Sequence, residues 1–276
     1  MIKNIVFAGG GLKGWAYIGT IKALHEFGIT RVEQVIGVSV GALFGLLYIL
    51  KFDSDFLLDY FIGLSIKDLI DIDIDNVLTN QSLLNGNTFT EIVREIISFK
   101  VDPDITFEQL RIHNGVLFTT NALNINDSKL EYFNYIISPK IKVVDAIRAS
   151  CNLPFLFPGY IIQNKKYFDG GICNNCPDDL VDDLYSIAFD VSHPESSKSG
   201  NTLYSFFISL VNISNNLSKK KKSECVYKIL HDRFKNETTN VYQTKDTFFN
   251  IYMNGYKNSK EVLLKNYFSL PVSSCS

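Results

Sequence analysis

Five cysteines in 276 residues are too few, and odd in number, to staple a fold by disulfides. Charge of one sign is also missing. Lys and Arg number 27 against 29 Asp and Glu, a net charge of −2, so the basic footprint of a dedicated nucleic-acid binder is absent. Long apolar runs are lacking: the uncharged apolar stretch Val35 to Leu50 has 16 residues, short of the roughly 18 that a membrane span needs. Met1 to Ala8 carries one lysine and a brief apolar run that stops at three glycines, so no cleaved secretory signal is expected. A cytoplasmic, soluble chain is expected, with the sequons at Asn126, Asn212, Asn216 and Asn236 unused. Hydrophobic content of 46% and charged content of 20% exclude a disordered or fibrous chain. No internal repeat or low-complexity linker divides the sequence, so residues 1–276 are expected to form one domain.

The order of elements points to an α/β fold. Ile5 to Ala8 reads as a buried strand, Trp15 to Phe27 as a helix closed by Gly28, Val32 to Val38 as a second strand, and Val40 to Leu50 as a helix apolar all round. This βαβ unit demands a parallel sheet. Asp53 to Ile74 is expected to hold one or two short surface helices. Thr88 to Phe99 reads as an amphipathic helix with Thr88 as cap and Glu91 three residues on. Gly115 to Leu123, Lys129 to Ile136 and Leu184 to Val191 read as strands, Val143 to Ala149 as a short helix, and Thr202 to Ser276 as mostly helix.

Chemistry is carried first by Gly37-Val38-Ser39-Val40-Gly41, a G-x-S-x-G between a predicted strand and a predicted helix. A serine on such a turn projects clear of the sheet, and glycines two residues either side let strand and helix approach closely. The competing interpretation is that glycines and serine only pack a buried helix. Gly9-Gly10-Gly11-Leu12-Lys13-Gly14 also follows a strand and opens a helix. As G-x-G-x-x-G it would cradle a pyrophosphate, but the acidic residue expected at the end of the second strand is replaced by the Ser39 turn. As a run of backbone N–H groups it would form an oxyanion hole for that serine.

The base is less evident. Of four histidines, His25 is expected on a solvated helix side, His113 in a turn before a strand and His231 in a mixed-charge helix. His193, after a strand, fits the order serine, aspartate, histidine. Asp169, between Tyr167-Phe168 and Gly170-Gly171, is the other candidate, although Asp-Gly is a common turn dipeptide.

Together these residues resemble the patatin-like phospholipase family. The likeness rests on Gly9 to Gly14, Gly37 to Gly41, Ala149-Ser150-Cys151-Asn152-Leu153-Pro154 and Asp169-Gly170-Gly171, in the family's order across about residues 5 to 177. The resemblance implies a three-layer α/β/α sandwich with a mostly parallel central sheet and a Ser–Asp dyad. It makes Ser39 the nucleophile, Asp169 the general base, and Gly10 and Gly11 the oxyanion donors. Lys13 would stand near the hole or a substrate phosphate. Gly9, Gly14, Gly37, Gly41, Pro154, Gly170 and Gly171 would support the motifs, and no metal or cofactor is implied. The expected activity is a lipid acyl hydrolase, with an α/β-hydrolase-type Ser39–Asp169–His193 triad or a non-catalytic nucleotide or lipid binder as alternatives. With a carboxylate pKa near 4, Asp169 would be a weak base, so geometry and the oxyanion hole would carry the reaction. Cys173-Asn174-Asn175-Cys176 lacks the second pair of a zinc site and reads as two ordinary thiols. Leu203 to Leu217 with Lys219 to Lys222 reads first as a core helix before a solvated loop. Its second interpretation is a segment that attracts anionic lipid for peripheral membrane association.

Overall fold

A computed structural model describes residues 2–64, 82–191, 224–229 and 245–269. The first strand, β1 (Asn4–Phe7), is buried on both faces, as a continuous apolar run requires at the centre of a parallel sheet. A 3-10 turn, Gly11–Trp15, leads into α1 (Ala16–Glu26). Gly28 follows it at φ +68°, with its N–H on the His25 carbonyl at 3.0 Å and that of Ile29 on Leu24 at 2.9 Å, so the expected glycine stop is present. Strand β2 (Gln34–Gly37) and helix α2 (Val40–Ile49) complete the unit, with Gly41 to Ile49 all buried.

The later helices are α3 (Ser54–Gly63), α4 (Asn87–Ser98), α5 (Phe107–Asn114), α6 (Val143–Ser150) and α7 (Lys245–Ser269). Helix α4 forms as expected, but its cap is Gly86 at φ +81° rather than Thr88, because Arg148 packs against residue 86 where a side chain would sit. The capping box belongs instead to α5, where Thr106 and Gln109 exchange side-chain and backbone bonds. His113 falls in the last turn of α5, not in a turn before a strand. His25 is half-buried and stacks on Tyr48 at 6.1 Å, and burial lowers its pKa; it is not on a solvated side. Most of the segment expected to hold a second short helix, residues 65–81, lies outside the described residues, as do His193, His231 and Lys219 to Lys222.

The remaining strands are β3 (Leu117–Asn124), β4 (Lys129–Phe133), β5 (Tyr160–Ile162), β6 (Lys165–Asp169), β7 (Ser186–Asp190) and β8 (Val226–Lys228). They form one mixed sheet of order β5-β6-β3-β2-β1-β7-β8, with β4 also on β3. The pairs β1–β2, β1–β7, β2–β3 and β7–β8 are parallel, and the three joining β3 to β4, β3 to β6 and β5 to β6 are antiparallel. The fold is thus α/β with a mostly parallel central sheet flanked by helices. Strand β8 replaces part of the helix expected after residue 202.

Register decides where the site lies. Thr120 pairs with both Gly37 and Phe133, and Ala122 with both Asp169 and Glu131. Strand β4 therefore takes one edge of β3, while β2 and β6 share the other, end to end. Their last residues face positions two apart on β3, so the chain leaves the sheet at Gly37 and at Asp169 in the same place.

The C-terminal helix is built into the core. Gly19 on α1 lies so close to α7 that a Cβ would stand 2.2 Å from the Tyr252 carbonyl oxygen, and one on Gly255 would stand 2.1 Å from that of Ala16. Thr20 and Ser259 share a buried hydroxyl bond of 2.9 Å, and Trp15 packs on Phe248 at 4.4 Å.

Candidate active site

Ser39 joins β2 to α2 with φ 54° and ψ −131°, a conformation costly for a side-chain-bearing residue. The turn is possible because its neighbours carry no side chain. A Cβ on Gly41 would lie 2.2 Å from the Phe7 carbonyl oxygen, and one on Gly37 2.4 Å from that of Gly41. The Ser39 N–H, which the helix cannot use, donates to the buried Ser150 Oγ at 2.8 Å.

Asp169 ends β6 and is 2% exposed. Its Oδ1 accepts the Gly171 N–H at 2.7 Å, while Oδ2 is buried without a hydrogen-bond partner. Burial pushes the carboxyl from 3.8 up to about 7, with the nearby Ser39 hydroxyl and the Gly171 N–H pulling it back. The ordinary carboxylate expected at Asp169 is therefore replaced by a carboxyl held near neutrality. The Cys151 thiol is buried against the same pair, and desolvation together with Asp169 pushes its pKa well up.

The glycine loop borders this pair: a Cβ on Gly9 would stand 3.2 Å from Ser39 Cβ. Gly9 donates to the Asn175 carbonyl and accepts from Asn175 Nδ2, both at 3.0 Å. Among the described residues the Gly10 and Gly11 N–H groups have no protein acceptor, and Gly11 sits at φ +56°. Gly14 packs against Val40, where a Cβ would meet Cγ2 at 2.4 Å. Lys13 is half-buried in the same turn, and Pro154 is half-buried in the loop after α6. Gly170 and Gly171 leave room for Asn121 and Asn175.

The structure thus brings together Ser39, Asp169, the glycine loop and the residue 149–154 segment. Sequence reading missed the polar residues that hold them: Ser150 under the serine, Asn152 beside Asp169, Arg148 behind Asn152, and Asn175 between the glycine loop and Gly171. Ser150 and Asn152 lie inside a motif already noted, and Asn175 inside the cysteine pair, but nothing in their spacing signals these roles. Cys151, Cys173, Cys176 and Cys225 are free thiols. Among the described residues no three His, Cys, Asp or Glu side chains group to hold a metal, and no helix is long and apolar enough to cross a membrane.

The patatin-like phospholipase family model matches residues 5–182. A relative described as a probable lipid hydrolase from invertebrate iridescent virus 6 is 25% identical over 186 residues, covering 65% of this chain and 63% of that protein. A lysophospholipase from Aspergillus fumigatus is 29% identical over 193 residues, 68% of this chain but 11% of that one. The chain therefore spans somewhat less than two thirds of the viral relative and a small part of the fungal one. Among solved structures, VipD from Legionella pneumophila superposes with a TM-score of 0.64 at 16% identity, over 96% of this chain and 67% of that one. The type III effector ExoU superposes with a TM-score of 0.50 at 15% identity, over 96% of this chain and 53% of that one.

Proposed function

The chain belongs to the patatin-like phospholipase family, and on that premise we propose that it hydrolyses acyl esters of phospholipids or related lipids through Ser39 and Asp169. The observation that carries this reading is the buried Asp169 carboxyl, raised to about 7 beside the strained Ser39. A general base works best with a pKa near the ambient pH.

In this mechanism Ser39 Oγ attacks the ester carbonyl as Asp169 Oδ2 takes its proton. The Gly10 and Gly11 N–H groups receive the oxyanion; single donors of this kind are worth about 2.7–4 kcal/mol in other hydrolases. Asp169 returns the proton to the departing alcohol, leaving an acyl ester on Ser39. Water then attacks that ester with Asp169 again as base, releasing fatty acid and free Ser39. The positive end of α2 behind Ser39 adds to the stabilisation. Lys13 is assigned to the rim of the hole or to a substrate phosphate. His193 has no step in this scheme, whereas a triad would require it. The nucleotide-binding alternative is disfavoured because Gly9 already spends its N–H and carbonyl on Asn175.

We read residues 1–276 as one domain, supported by the packing of α7 on α1. The free thiols of Cys151, Cys173, Cys176 and Cys225 fit a reducing compartment such as the cytoplasm. Peripheral contact with anionic lipid through Lys219 to Lys222 belongs to the same reading.

The test is labelling by a fluorophosphonate probe in wild type, Ser39→Ala, Asp169→Asn and His193→Ala. The dyad expects labelling in wild type and His193→Ala, with loss in the other two. Loss in His193→Ala would establish the triad. Absence of labelling in wild type, with lipid vesicles present, would remove the hydrolase reading.

A further inference from the structure

Asp169 is the last residue of β6, and only one side of its backbone is held by the sheet. Toward β3 it is in register with Ala122. On the outer edge β5 begins at Tyr160, opposite Tyr167, so among the described residues Phe168 and Asp169 have no strand beside them there. The outward-facing groups at this frayed end are the Tyr167 carbonyl and the Asp169 N–H. Both are taken by one residue, Asn152, whose Nδ2 donates to the Tyr167 carbonyl at 3.0 Å and whose own carbonyl accepts the Asp169 N–H at 2.9 Å. Asn152 thus substitutes for the strand that β5 does not supply. Its Nδ2 also donates to the Pro158 carbonyl at 2.7 Å, which uses the second amide hydrogen.

An amide side chain can bind either way round, and only its surroundings choose. Arg148, one helical turn earlier on α6, makes the choice. A guanidinium has donors only, and Arg148 Nη1 donates to Asn152 Oδ1, which forces Nδ2 toward the two carbonyls. Arg148 is 2% exposed and is itself held in place. Its Nε donates to the Gly86 carbonyl at 3.3 Å, and its guanidinium lies 4.5 Å from the Phe157 ring and 5.3 Å from that of Tyr160.

We propose that Arg148 and Asn152 are positioning residues that fix the end of β6, so that the Asp169 carboxyl stays sealed against Ser39. This deepens the dyad reading of the site and rests on it for its effect on turnover. Both residues are buried, Asn152 completely and Arg148 at 2% exposure. Arg148 bonds the Asn152 side chain, which in turn holds the end of β6, so its influence runs through the Asn152 amide.

The test compares wild type with Asn152→Leu, Arg148→Met and the conservative Arg148→Lys in the full chain. One readout is hydrolysis of soluble p-nitrophenyl butyrate. The other is the titration of Asp169 by carbon-13 NMR of labelled aspartate, assigned by the signal that disappears in Asp169→Asn. With the strand end loosened, kcat is expected to fall roughly ten- to hundredfold at nearly constant KM in Asn152→Leu and Arg148→Met. Arg148→Lys should lose less. Water reaching the carboxyl should move the Asp169 titration, and the acid limb of kcat/KM, toward lower pH. A loss of folded protein alone would shift neither. Should Asn152→Leu not fold, the Arg148 pair decides the matter. Unchanged kcat and an unchanged Asp169 titration in the folded variants would overturn the proposal. If wild type shows no ester turnover, the hydrolase reading fails, yet the titration still decides whether the clamp holds Asp169.

Discussion

Replacing Asp169 by Asn should stabilise the protein, and by an amount that depends on pH in a defined direction. The folded chain holds this carboxyl at about 7 against 3.8 for the free group, with desolvation as the largest cause. A proton is bound more tightly in the folded state, so the unfolded state holds fewer protons between these values. Stability is therefore lost as pH rises through this window. The contribution is fully present below 3.8, falls progressively, and is gone above about 7. The whole interval corresponds to about 4 kcal/mol, of which more than half lies between pH 5 and pH 8. Asparagine has the same shape, cannot ionise, and can still accept the Gly171 N–H through Oδ1. Urea denaturation of wild type and Asp169→Asn at pH 5 and pH 8 measures the effect. Other titrations cancel in the difference between the two proteins, which should grow in favour of the variant by about 2 to 3 kcal/mol at the higher pH. A difference that is constant with pH, or that grows toward acid, would refute the burial of an ionisable group at this position. The comparison does not depend on activity. It asks only whether the fold sacrifices stability to keep a buried carboxyl near neutrality.

The same carboxyl sets the expected rate profile: kcat/KM should rise with an apparent pKa near 7 and fall about tenfold per pH unit below it, as read with a soluble ester. A limb at pH 4 would return Asp169 to an ordinary carboxylate. Ser150→Ala leaves the buried Ser39 N–H without its acceptor, which should cost about 1–3 kcal/mol and slow fluorophosphonate labelling. Labelling at the wild-type rate would show that the serine turn holds itself. Gly255→Val places a branched side chain against the Ala16 backbone, so α7 should be displaced. A lowered melting temperature with lost labelling is expected, and an unchanged melting temperature would mean that α7 does not support α1.

Much of the site was legible without coordinates because its geometry is local. Ser39 needs glycines at positions 37 and 41 whatever the rest of the fold, and a strand before it and a helix after it follow from apolar runs of characteristic length. The glycine loop after β1 is of the same kind. Local signals also misled where a distant residue intervened. Thr88 has good capping chemistry, but Arg148 packs at Gly86 and moves the cap there.

The sequence by itself determined the parallel core, the two turns that carry Gly10–Gly11 and Ser39, and the pairing of Asp169 with two glycines. The two turns and the Asp169 run depend on residues within a few positions of each other, and the parallel core follows from the order of strands and helices along the chain. Tertiary structure alone decided how they are held together. The bond from Ser39 to Ser150 spans 111 positions and that from Asn175 to Gly9 spans 166, so no periodicity or motif announces them. The chemical character of Asp169 is of the same sort. Its identity is written in the chain, but its pKa is set by how completely its neighbours exclude water. That exclusion depends on β2 and β6 ending at the same place on β3, which only the register of the folded sheet provides.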